Sequence, residues 1–315
     1  MALTDMTLSQ RIERVLPRVQ KATRYMGGEM GSVMKDPAQV RVRYAFLFPD
    51  VYEVGMSHLG MKILYHTINK RPDAWCERVF SPWLDMAEEM RREHIPLFSL
   101  ESRTPVSEFD MLGVTLQYEM SYSNILDALA MAGIPLRSAE RTSGPFVIAG
   151  GPCAFNPEPL ADFFDIFVLG DGEQSTHDTI DMFLKWKESG LPRAEYLKMC
   201  AQIPGVYVPS LYDVEYNADG TVRSVTPKPG SGAPERVYKA LVNDLNAADF
   251  PDQMIVPFGE IVHDRIMLEL FRGCTRGCRF CQAGMIYRPV RERSMERLLE
   301  LADKLIESTG YEEIS

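Results

Sequence analysis

The sequence of 315 residues lacks several features that are common in membrane, secreted and nucleic-acid-binding proteins. No apolar run approaches the roughly 18 residues of a membrane-spanning helix, and the amino terminus lacks the apolar stretch of a signal peptide. Basic residues are in the minority, because 34 Lys and Arg stand against 44 Asp and Glu and give a net charge of -10. This balance argues against a globally basic nucleic-acid-binding surface. We therefore expect a soluble, cytoplasmic protein that does not contact membranes.

Length and composition instead indicate folded domains. Hydrophobic residues make up 45% of the chain and charged residues 25%, which is ordinary globular usage and argues against disorder or coiled coil. At about 150 residues per domain, the length predicts two domains, with one large barrel as the alternative.

From residue 41 to about residue 190, short apolar runs alternate with amphipathic segments. The apolar runs are predicted as strands and cover residues 42–49, 77–82, 111–117, 146–151 and 164–170. The segments predicted as helices cover residues 61–68, 84–92, 123–131 and 174–187. This alternation predicts an α/β fold, with a Rossmann-like parallel sheet covered by helices over residues 40–190. Residues 1–39 are predicted as a helical lead-in.

Residues 191–262 have a different pattern. Two alternating runs flank Asn217-Ala218-Asp219-Gly220, which is a hairpin signal, and stretches rich in proline and small residues follow. We therefore predict a hairpin and a linker here, with a domain boundary between about residues 230 and 260.

The loops that follow the predicted strands are the places where parallel sheets bind ligands. These loops cover residues 49–60, 117–121, 150–159 and 170–173. Glycines in Gly150-Gly151-Pro152 and in Gly170-Asp171-Gly172-Glu173 let the backbone turn sharply or approach a ligand closely. The alternative interpretation is ordinary strand-to-helix turn chemistry.

Cysteine is scarce and unevenly distributed. Three of the six cysteines are isolated, and three form a C-x3-C-x2-C motif after a strand predicted at residues 265–271. The isolated cysteines, which we expect to be buried structural thiols, are Cys76, Cys153 and Cys200. The motif comprises Cys274, Cys278 and Cys281. Three thiolates on one short, glycine-rich loop can wrap one face of a compact metal cluster. Zinc with His263 as a further ligand is the main alternative, and inert cysteines are another.

The cysteine motif, with Phe280 directly before its third cysteine, resembles the signature of the radical S-adenosylmethionine (radical SAM) superfamily. The resemblance implies a [4Fe-4S] cluster held by Cys274, Cys278 and Cys281. It also implies that S-adenosylmethionine (SAM) chelates the open iron of the cluster and that Phe280 lies near the adenine of SAM.

The same resemblance implies that residues 263–315 begin a radical SAM (β/α) barrel, with the cysteine loop after its first strand. Ser294 and Gly310 are predicted to cap the first barrel helix, which carries Leu298, Leu301 and Leu305 on one face. Because a barrel of this type takes about 200 residues or more, we expect an incomplete barrel and no activity from the 315-residue chain by itself.

The activity that the resemblance implies is reductive cleavage of SAM, which generates a 5′-deoxyadenosyl radical that abstracts hydrogen from a substrate. A reductant such as flavodoxin or ferredoxin is implied as a partner. The sequence identifies neither the substrate nor a catalytic acid or base.

The amino-terminal half resembles the cobalamin-binding-type domain that precedes the barrel in some radical SAM proteins. The likeness rests on the segments MLGVTLQYEMSYSNILDALAMAG, FVIAGGPCAFNPEPLADFF and FDIFVLGDGEQ. Together with PDVYEVGMSHLG, these segments also resemble a subgroup of uncharacterised radical SAM proteins with this architecture. A cobalamin site in this domain would use Thr115, Gln117, Gly150, Gly151, Pro152, Gly170, Asp171, Gly172 and Glu173. His58 departs from the D-x-H-x-x-G motif that supplies a cobalt ligand, because the aspartate and the spacing are missing. We favour a domain that keeps the fold and has lost, or does not use, the cobalamin site.

Two other functions stay open. The first is a corrinoid- or nucleotide-binding sensing module whose cysteine loop is a structural metal site. The second is an RNA-modifying radical SAM enzyme of the methylthiotransferase type, because residues 265–297 hold eight arginines and three glutamates. That local positive charge would also steady an anionic cluster, and the alternative interpretation is a solvated arginine face.

Overall fold

The computed structural model describes residues 6–315. Within these residues, the main sheet contains β1 (Val42–Phe48), β2 (Ala74–Phe80), β3 (Met111–Thr115), β4 (Phe146–Gly150), β5 (Ile166–Val168) and β6 (Val206–Tyr207). The helices around it are α1 (Leu8–Val15), α2 (Tyr52–Gly55), α3 (Leu59–Asn69), α4 (Leu84–Arg92), α5 (Tyr122–Met131), α6 (Gly172–Ser189) and α7 (Arg193–Cys200). The five strands and four helices predicted between residues 41 and 190 are therefore confirmed, with boundaries that differ by a few residues.

The strands lie in the order β2-β1-β3-β4-β5-β6. The first five strands are parallel, and β6 runs antiparallel to β5. β1 lies between the edge strand β2 and β3, with Tyr44 opposite Cys76 on one side and Met111 on the other. β2 lies on one side of β1, and β3 to β6 lie on the other. The loops that follow β1 and β3 therefore lead in opposite directions and leave a crevice at the carboxyl edge of the sheet.

Helices cover both faces of the sheet, and each face has its own hydrophobic core. One core packs α1, α4 and α5 against side chains such as Leu47, Val114 and Val147. The other packs α3, α6 and α7 against side chains such as Phe46 and Phe146. Burial on both faces explains why these strands are continuous apolar runs in the sequence.

The sheet continues past residue 190, where the sequence predicts the end of this domain. α7 and β6 belong to it, although they fall in the segment predicted as hairpin and linker, residues 191–262. The sequence does not predict β6, because a strand of two residues has no periodicity. The predicted hairpin does form, from β7 (Tyr212–Tyr216) and β8 (Val222–Pro227).

The lead-in packs on the sheet. Of its predicted range, residues 1–39, the first five lie outside the described residues. α1 begins at a cap in which Thr7 accepts a hydrogen bond from the amide of Gln10, and it buries Ile12 and Val15. Further along, Met30 pairs antiparallel with Val256 of the linker. The lead-in and the linker are therefore in contact.

The cysteine loop lies among four further elements: β9 (Phe271–Arg272), α8 (Ala283–Ile286), β10 (Arg291–Glu292) and α9 (Met295–Thr309). β9 and β10 pair antiparallel, so that residues 273–290 connect the two strands of a short hairpin. Ser294 caps α9 as predicted, with its Oγ 3.3 Å from the backbone nitrogen of Arg297. Gly310 ends α9 with a φ of 72°.

A parallel pairing supports the predicted start of a barrel. The carbonyl of Ile266 accepts from the amide of Ser315 at 2.8 Å, and the amide of Leu268 donates to the carbonyl of Ser315 at 2.9 Å. With α9 between them, the two segments have the strand–helix–strand connection of a parallel unit. Of the strand predicted at residues 265–271, regular strand structure covers only Phe271, whereas residues 266–268 form the parallel pairing with residues 313–315.

A third hydrophobic cluster joins the two parts of the chain. Ile63 of α3 packs with Phe250 and Met254 of the linker and with Leu301 and Leu305 of α9. The predicted domain boundary at residues 230–260 therefore contains buried contacts. Among the described residues, no helix is both long and apolar enough to cross a membrane.

Candidate functional site

A cavity of about 400 Å³ lies at the carboxyl edge of the sheet, between α3, α6 and the segment that leads into the cysteine loop. The nine loop residues proposed from the sequence all line it: Thr115, Gln117, Gly150, Gly151, Pro152, Gly170, Asp171, Gly172 and Glu173. They follow β3, β4 and β5, which are neighbours in the sheet. The structure thus brings these residues together, and their contact with a ligand stays a prediction.

Two glycines bring backbone segments close together at this edge. At Gly151, with a φ of 98°, a side-chain carbon would lie 2.8 Å from the carbonyl oxygen of Leu116. At Gly170, with a φ of 102°, a side-chain carbon would collide with the backbone of Ala240 in the linker. Glycine is therefore required at both positions to keep this packing.

The cavity has a largely apolar lining with a few polar groups. Tyr44, Phe46 and Ile148 contribute apolar surface from the strands. At the end of β3, the side-chain amide of Gln117 donates a hydrogen bond to Oγ1 of Thr115. This combination is typical of small-molecule sites.

His58 lies on the same cavity wall and has a structural role there. Its Nδ1 accepts a hydrogen bond from the amide of Met61 at 3.1 Å and so caps α3. Burial lowers the pKa of His58 below its ordinary value, although a hydrogen bond with Gln117 opposes the shift. The imidazole is therefore neutral at pH 7 and holds the start of α3 in place.

An ion-pair network, which we call the arginine–carboxylate clamp, forms one side of the cavity. It consists of Asp171, Glu173, Glu269, Arg272, Arg291 and Arg293. Nitrogens of the central Arg272 lie 3.2 Å from Oδ1 of Asp171 and 2.5 Å from Oε1 of Glu173. A third nitrogen of Arg272 lies 2.6 Å from Oε1 of Glu269. Asp171 also pairs with Arg291, and Glu269 pairs with Arg293 at 2.9 Å.

The clamp is shielded from water, since none of its six side chains is more than 14% exposed. Three acidic and three basic groups balance one another, as buried charges require. Burial by itself opposes the charge of Arg272, but hydrogen bonds with Glu173 and Glu269 outweigh it and raise the pKa of the guanidinium. Five of the eight arginines in residues 265–297 pair with carboxylates, three of them in the clamp, which weakens the RNA-modifying interpretation.

The cysteine loop extends from the clamp into solvent. Cys278 is exposed, Cys274 and Cys281 are half-buried, and none of the three forms a disulfide. The amide of Cys281 donates to the carbonyl of Cys278 at 3.2 Å. Among residues 6–315, no three His, Cys, Asp or Glu side chains are arranged as a metal site, so the sulfurs share a loop without converging. Three accessible thiols on one loop are nevertheless the donor set that suits an iron–sulfur cluster.

Two more residues proposed from the sequence are Phe280, inside the turn from Cys278 to Cys281, and His263, upstream of the loop. Phe280, expected near the adenine of SAM, is 92% exposed, so within the described part of the chain it is not a core aromatic. His263, considered as a zinc ligand, lines a separate cavity together with His58 and Tyr118. The zinc alternative loses support from this placement.

The three isolated cysteines are buried at separate places: Cys76 on β2, Cys153 after β4 and Cys200 in α7. Burial raises the pKa of Cys200 to about 12 and raises the pKa of Cys76 and Cys153 as well. A protonated thiol is a poor metal ligand. These cysteines therefore behave as the structural thiols that the sequence predicts.

Two sequence families match the chain. The family of "Radical SAM proteins, N-terminal" matches residues 60–209, and the "Radical SAM superfamily" matches residues 268–315. The chain belongs to the radical SAM superfamily. In this radical SAM protein, the first match extends from α3 to β6, and the second contains the cysteine loop and α9.

A curated relative is the uncharacterized protein MJ0966 of Methanocaldococcus jannaschii, which is 26% identical over 261 residues. The alignment covers 82% of this radical SAM chain and 45% of the relative. The chain thus spans less than half the length of the curated relative that it matches.

Two solved structures are similar to the chain. The first is the cobalamin-dependent SAM radical enzyme OxsB with aqua-cobalamin bound, which matches with a TM-score of 0.50 at 15% identity. That match covers 85% of this chain and 32% of the OxsB chain. The radical SAM methyltransferase TsrM from Kitasatospora setae, with tryptophan and a SAM analogue bound, has a TM-score of 0.45 at 12% identity. That match covers 86% of this chain and 46% of TsrM. The likeness to OxsB shows a shared fold, in agreement with the predicted α/β class.

The sequence does not predict that residues of the carboxyl-terminal segment line this cavity. These residues are Glu269, Phe271, Arg272, Gly273 and Tyr287. The local excess of arginine is a signal for this segment, but it carries no information about the partner carboxylates. The sequence suggests Asp171 and Glu173 as ligand contacts, whereas in the structure both form ion pairs with Arg272.

Proposed function

We propose that this radical SAM protein is an enzyme in which Cys274, Cys278 and Cys281 hold a [4Fe-4S] cluster that serves reductive cleavage of SAM. The observation that carries the proposal is the exposed C-x3-C-x2-C loop between β9 and β10, within the segment matched by the superfamily. Three thiolates leave one iron of a four-iron cluster without a protein ligand.

When bound at these cysteines, such a cluster would supply one-electron reduction of SAM to methionine and a 5′-deoxyadenosyl radical, with the electron coming from a reductant such as flavodoxin or ferredoxin. The chain's own residues have simpler tasks. The cysteine thiolates bind iron, and exposed Phe280 offers an aromatic surface against which the adenine can stack. Arg276 and Arg279, both exposed on the loop, favour the approach of anionic groups.

Anaerobic reconstitution with iron and sulfide tests the ligand assignment. The parent chain should bind about four iron atoms and show a visible charge-transfer band. Cys274→Ala, Cys278→Ala and Cys281→Ala should each lose most of the iron, whereas Cys200→Ala, the same change in a buried helix, should retain it. A full cluster in any of the three loop variants would contradict the assignment.

Cluster assembly is the appropriate measurement for this chain, because the chain spans less than half of its curated relative. Turnover is a separate measurement, made as release of 5′-deoxyadenosine by the protein with its complete barrel. We expect no release from the 315-residue chain alone, and release from it would show that residues 263–315 suffice for SAM binding.

A second candidate function is the binding of a corrinoid or nucleotide by the sheet domain. The observation in its favour is that nine proposed loop residues line one cavity of about 400 Å³. Against a cobalamin site, Asp171 and Glu173 are paired with arginines, and His58 caps a helix. We therefore propose that cobalamin is not retained.

Titration of the chain with hydroxocobalamin, followed by visible absorption, tests this part of the proposal. No saturable spectral change is expected at micromolar cobalamin. Stoichiometric binding that is weakened by Gly151→Val, which would obstruct the cavity edge, would overturn it.

A further inference from the structure

We propose that Asp171, a residue of the sheet domain, is a positioning residue that fixes both ends of the cysteine loop at once. The inference rests on the proposed function, because it concerns the same loop. It assigns Asp171 a role in cluster geometry in place of the ligand contact that the sequence suggests.

The two ends of the loop meet at this one carboxylate. Arg272 is the last residue before the loop and Arg291 is the first strand residue after it, and the two lie opposite each other in the β9–β10 pair. Oδ1 of Asp171 is 3.2 Å from Nη1 of Arg272, and Oδ2 of Asp171 binds Nη1 of Arg291. One side chain therefore bridges both strands at the base of the loop.

The hairpin needs such a bridge, because its own strands are short. β9 and β10 have two residues each, and residues 273–290 must be closed into a loop between them. A two-stranded hairpin is marginal in water even when it is longer, and closing a loop has an entropic cost. The ion pairs with Asp171 supply the restraint from outside the hairpin.

Asp171 itself is held firmly. Its amide donates to the carbonyl of Ala240 at 3.0 Å, and the amide of Val242 donates to its Oδ2 at 2.8 Å. Asp171 occupies the N-cap position of α6, where an aspartate ordinarily accepts a hydrogen bond from the helix, yet its side chain makes no such bond. The carboxylate is instead directed to the two arginines.

Glu173 and Glu269 do not perform the same bridging. Glu173 contacts Arg272 alone among the loop-end arginines, and Glu269 contacts Arg272 and Arg293. Within the described residues, Asp171 is the carboxylate that pairs with both Arg272 and Arg291. Replacement of Asp171 should therefore remove the ionic bridge between β9 and β10, while Arg272 and Arg291 keep their other partners.

The experiment compares Asp171→Asn, which keeps the shape and removes the charge, with Asp178→Asn on the same helix. Asp178 is half-buried and accepts a hydrogen bond from Gln174, so it controls for the loss of one negative charge from α6. Hydrogen exchange of the chain without iron is measured first. In Asp171→Asn, amides of residues 271–292 should exchange at least about tenfold faster, while those of β1 and β3 stay unchanged.

The reconstituted cluster gives the second measurement. Asp171→Asn should still bind iron, because the cysteines are intact, but the electron paramagnetic resonance spectrum of the reduced cluster should differ from that of the parent. Asp178→Asn should match the parent in both. Arg291→Gln should reproduce the Asp171→Asn effect, and the double variant should be no worse than either single variant, because both remove the same contact.

The outcomes separate the two proposals. If the parent binds no cluster, the proposed function fails, and hydrogen exchange still decides whether Asp171 holds the loop. If the parent binds a cluster and Asp171→Asn matches it in exchange and in the spectrum, the positioning role is refuted. If Asp171→Asn does not fold, Arg291→Lys is measured in the same way. Because lysine keeps the charge but has a single donor group, its amide exchange in residues 271–292 should be faster than in the parent and slower than in Arg291→Gln.

Discussion

Replacement of Arg78 by methionine should strongly destabilise the sheet domain. Arg78 lies on β2 with its side chain 2% exposed, between two carboxylates whose side chains are fully buried. Its nitrogens lie 2.7 Å from Oε2 of Glu29 and 2.7 Å from Oε1 of Glu101. Tyr52 and Tyr65 donate further hydrogen bonds to these carboxylates. Arg78→Met keeps most of the volume and leaves two buried negative charges without a cation.

Removing one partner of a buried ion pair costs about 3 to 5 kcal/mol. In a domain of 150–250 residues, each kcal/mol lowers the melting temperature by about 2 to 4 °C, so a fall of about 6 to 20 °C is expected. Arg91→Met is the matched control, because Arg91 pairs with Asp127 on the surface, where the two side chains are 57% and 53% exposed. That change should cost no more than about 1 kcal/mol.

The pH dependence gives a sharper test. Burial favours the protonated form of Glu29, but Arg78 outweighs burial and lowers the pKa of Glu29, whereas burial raises the pKa of Glu101 despite the same arginine. Without Arg78, burial should raise both pKa values above those of the unfolded chain. The folded variant then binds more protons than the unfolded chain, so its stability should increase as the pH falls from 7 to 5.

Urea unfolding of parent and variants, followed by circular dichroism at pH 7 and pH 5, measures both effects. The gap in unfolding free energy between parent and Arg78→Met should narrow at pH 5. Adding Glu29→Gln and Glu101→Gln to Arg78→Met should recover part of the loss at pH 7, because the buried charges are then gone. A gap of less than about 1 kcal/mol, or one that is equal at the two pH values, would refute the reasoning.

Three further changes test other parts of the fold. Gly113→Ala places a side-chain carbon against the ring of Tyr44 and should cost about 1 to 3 kcal/mol in urea unfolding, whereas Gly150→Ala, whose new carbon would lie 3.9 Å from the carbonyl oxygen of Val168, should cost less. Ser294→Ala removes the cap of α9 and should cost about 1 kcal/mol by the same measurement, with Ser294→Asp, another capping residue, restoring it. Burial lowers the pKa of Lys62 to about 8, so above that pH the folded state binds fewer protons than the unfolded chain. Between about pH 8 and pH 10, the slope of stability against pH should therefore be more positive in the parent than in Lys62→Met, and equal slopes would contradict this.

The parts of the structure that the sequence predicts are those in which neighbours along the chain decide the outcome. The run at residues 42–49 is apolar except for Arg43 because β1 is buried on both faces, and Ser294 marks the start of α9 because its hydroxyl accepts a hydrogen bond from an amide three residues on. Alignment of strand ends explains why loop residues such as Thr115 and Gly150 share one cavity.

The parts that the sequence does not predict depend on contacts between distant segments. Arg272 and Arg291 stand out as charged residues, but nothing in their spacing indicates Asp171, which lies far earlier in the chain. β6 has two residues and depends on β5 for its pairing. The cysteine motif, by contrast, needs no distant partner, so Cys274, Cys278 and Cys281 can be proposed as cluster ligands from the sequence.

The third hydrophobic cluster has a consequence for how the two matched families are combined in this protein. Ile63 lies in the segment matched by the amino-terminal family, whereas Leu301 and Leu305 lie in the segment matched by the superfamily. Cleavage between residues 230 and 260 would expose apolar surface on both products and release Phe250 and Met254 from their shared contacts. The two segments are therefore not interchangeable modules, and substitutions on α3 and α9 must be compatible with each other.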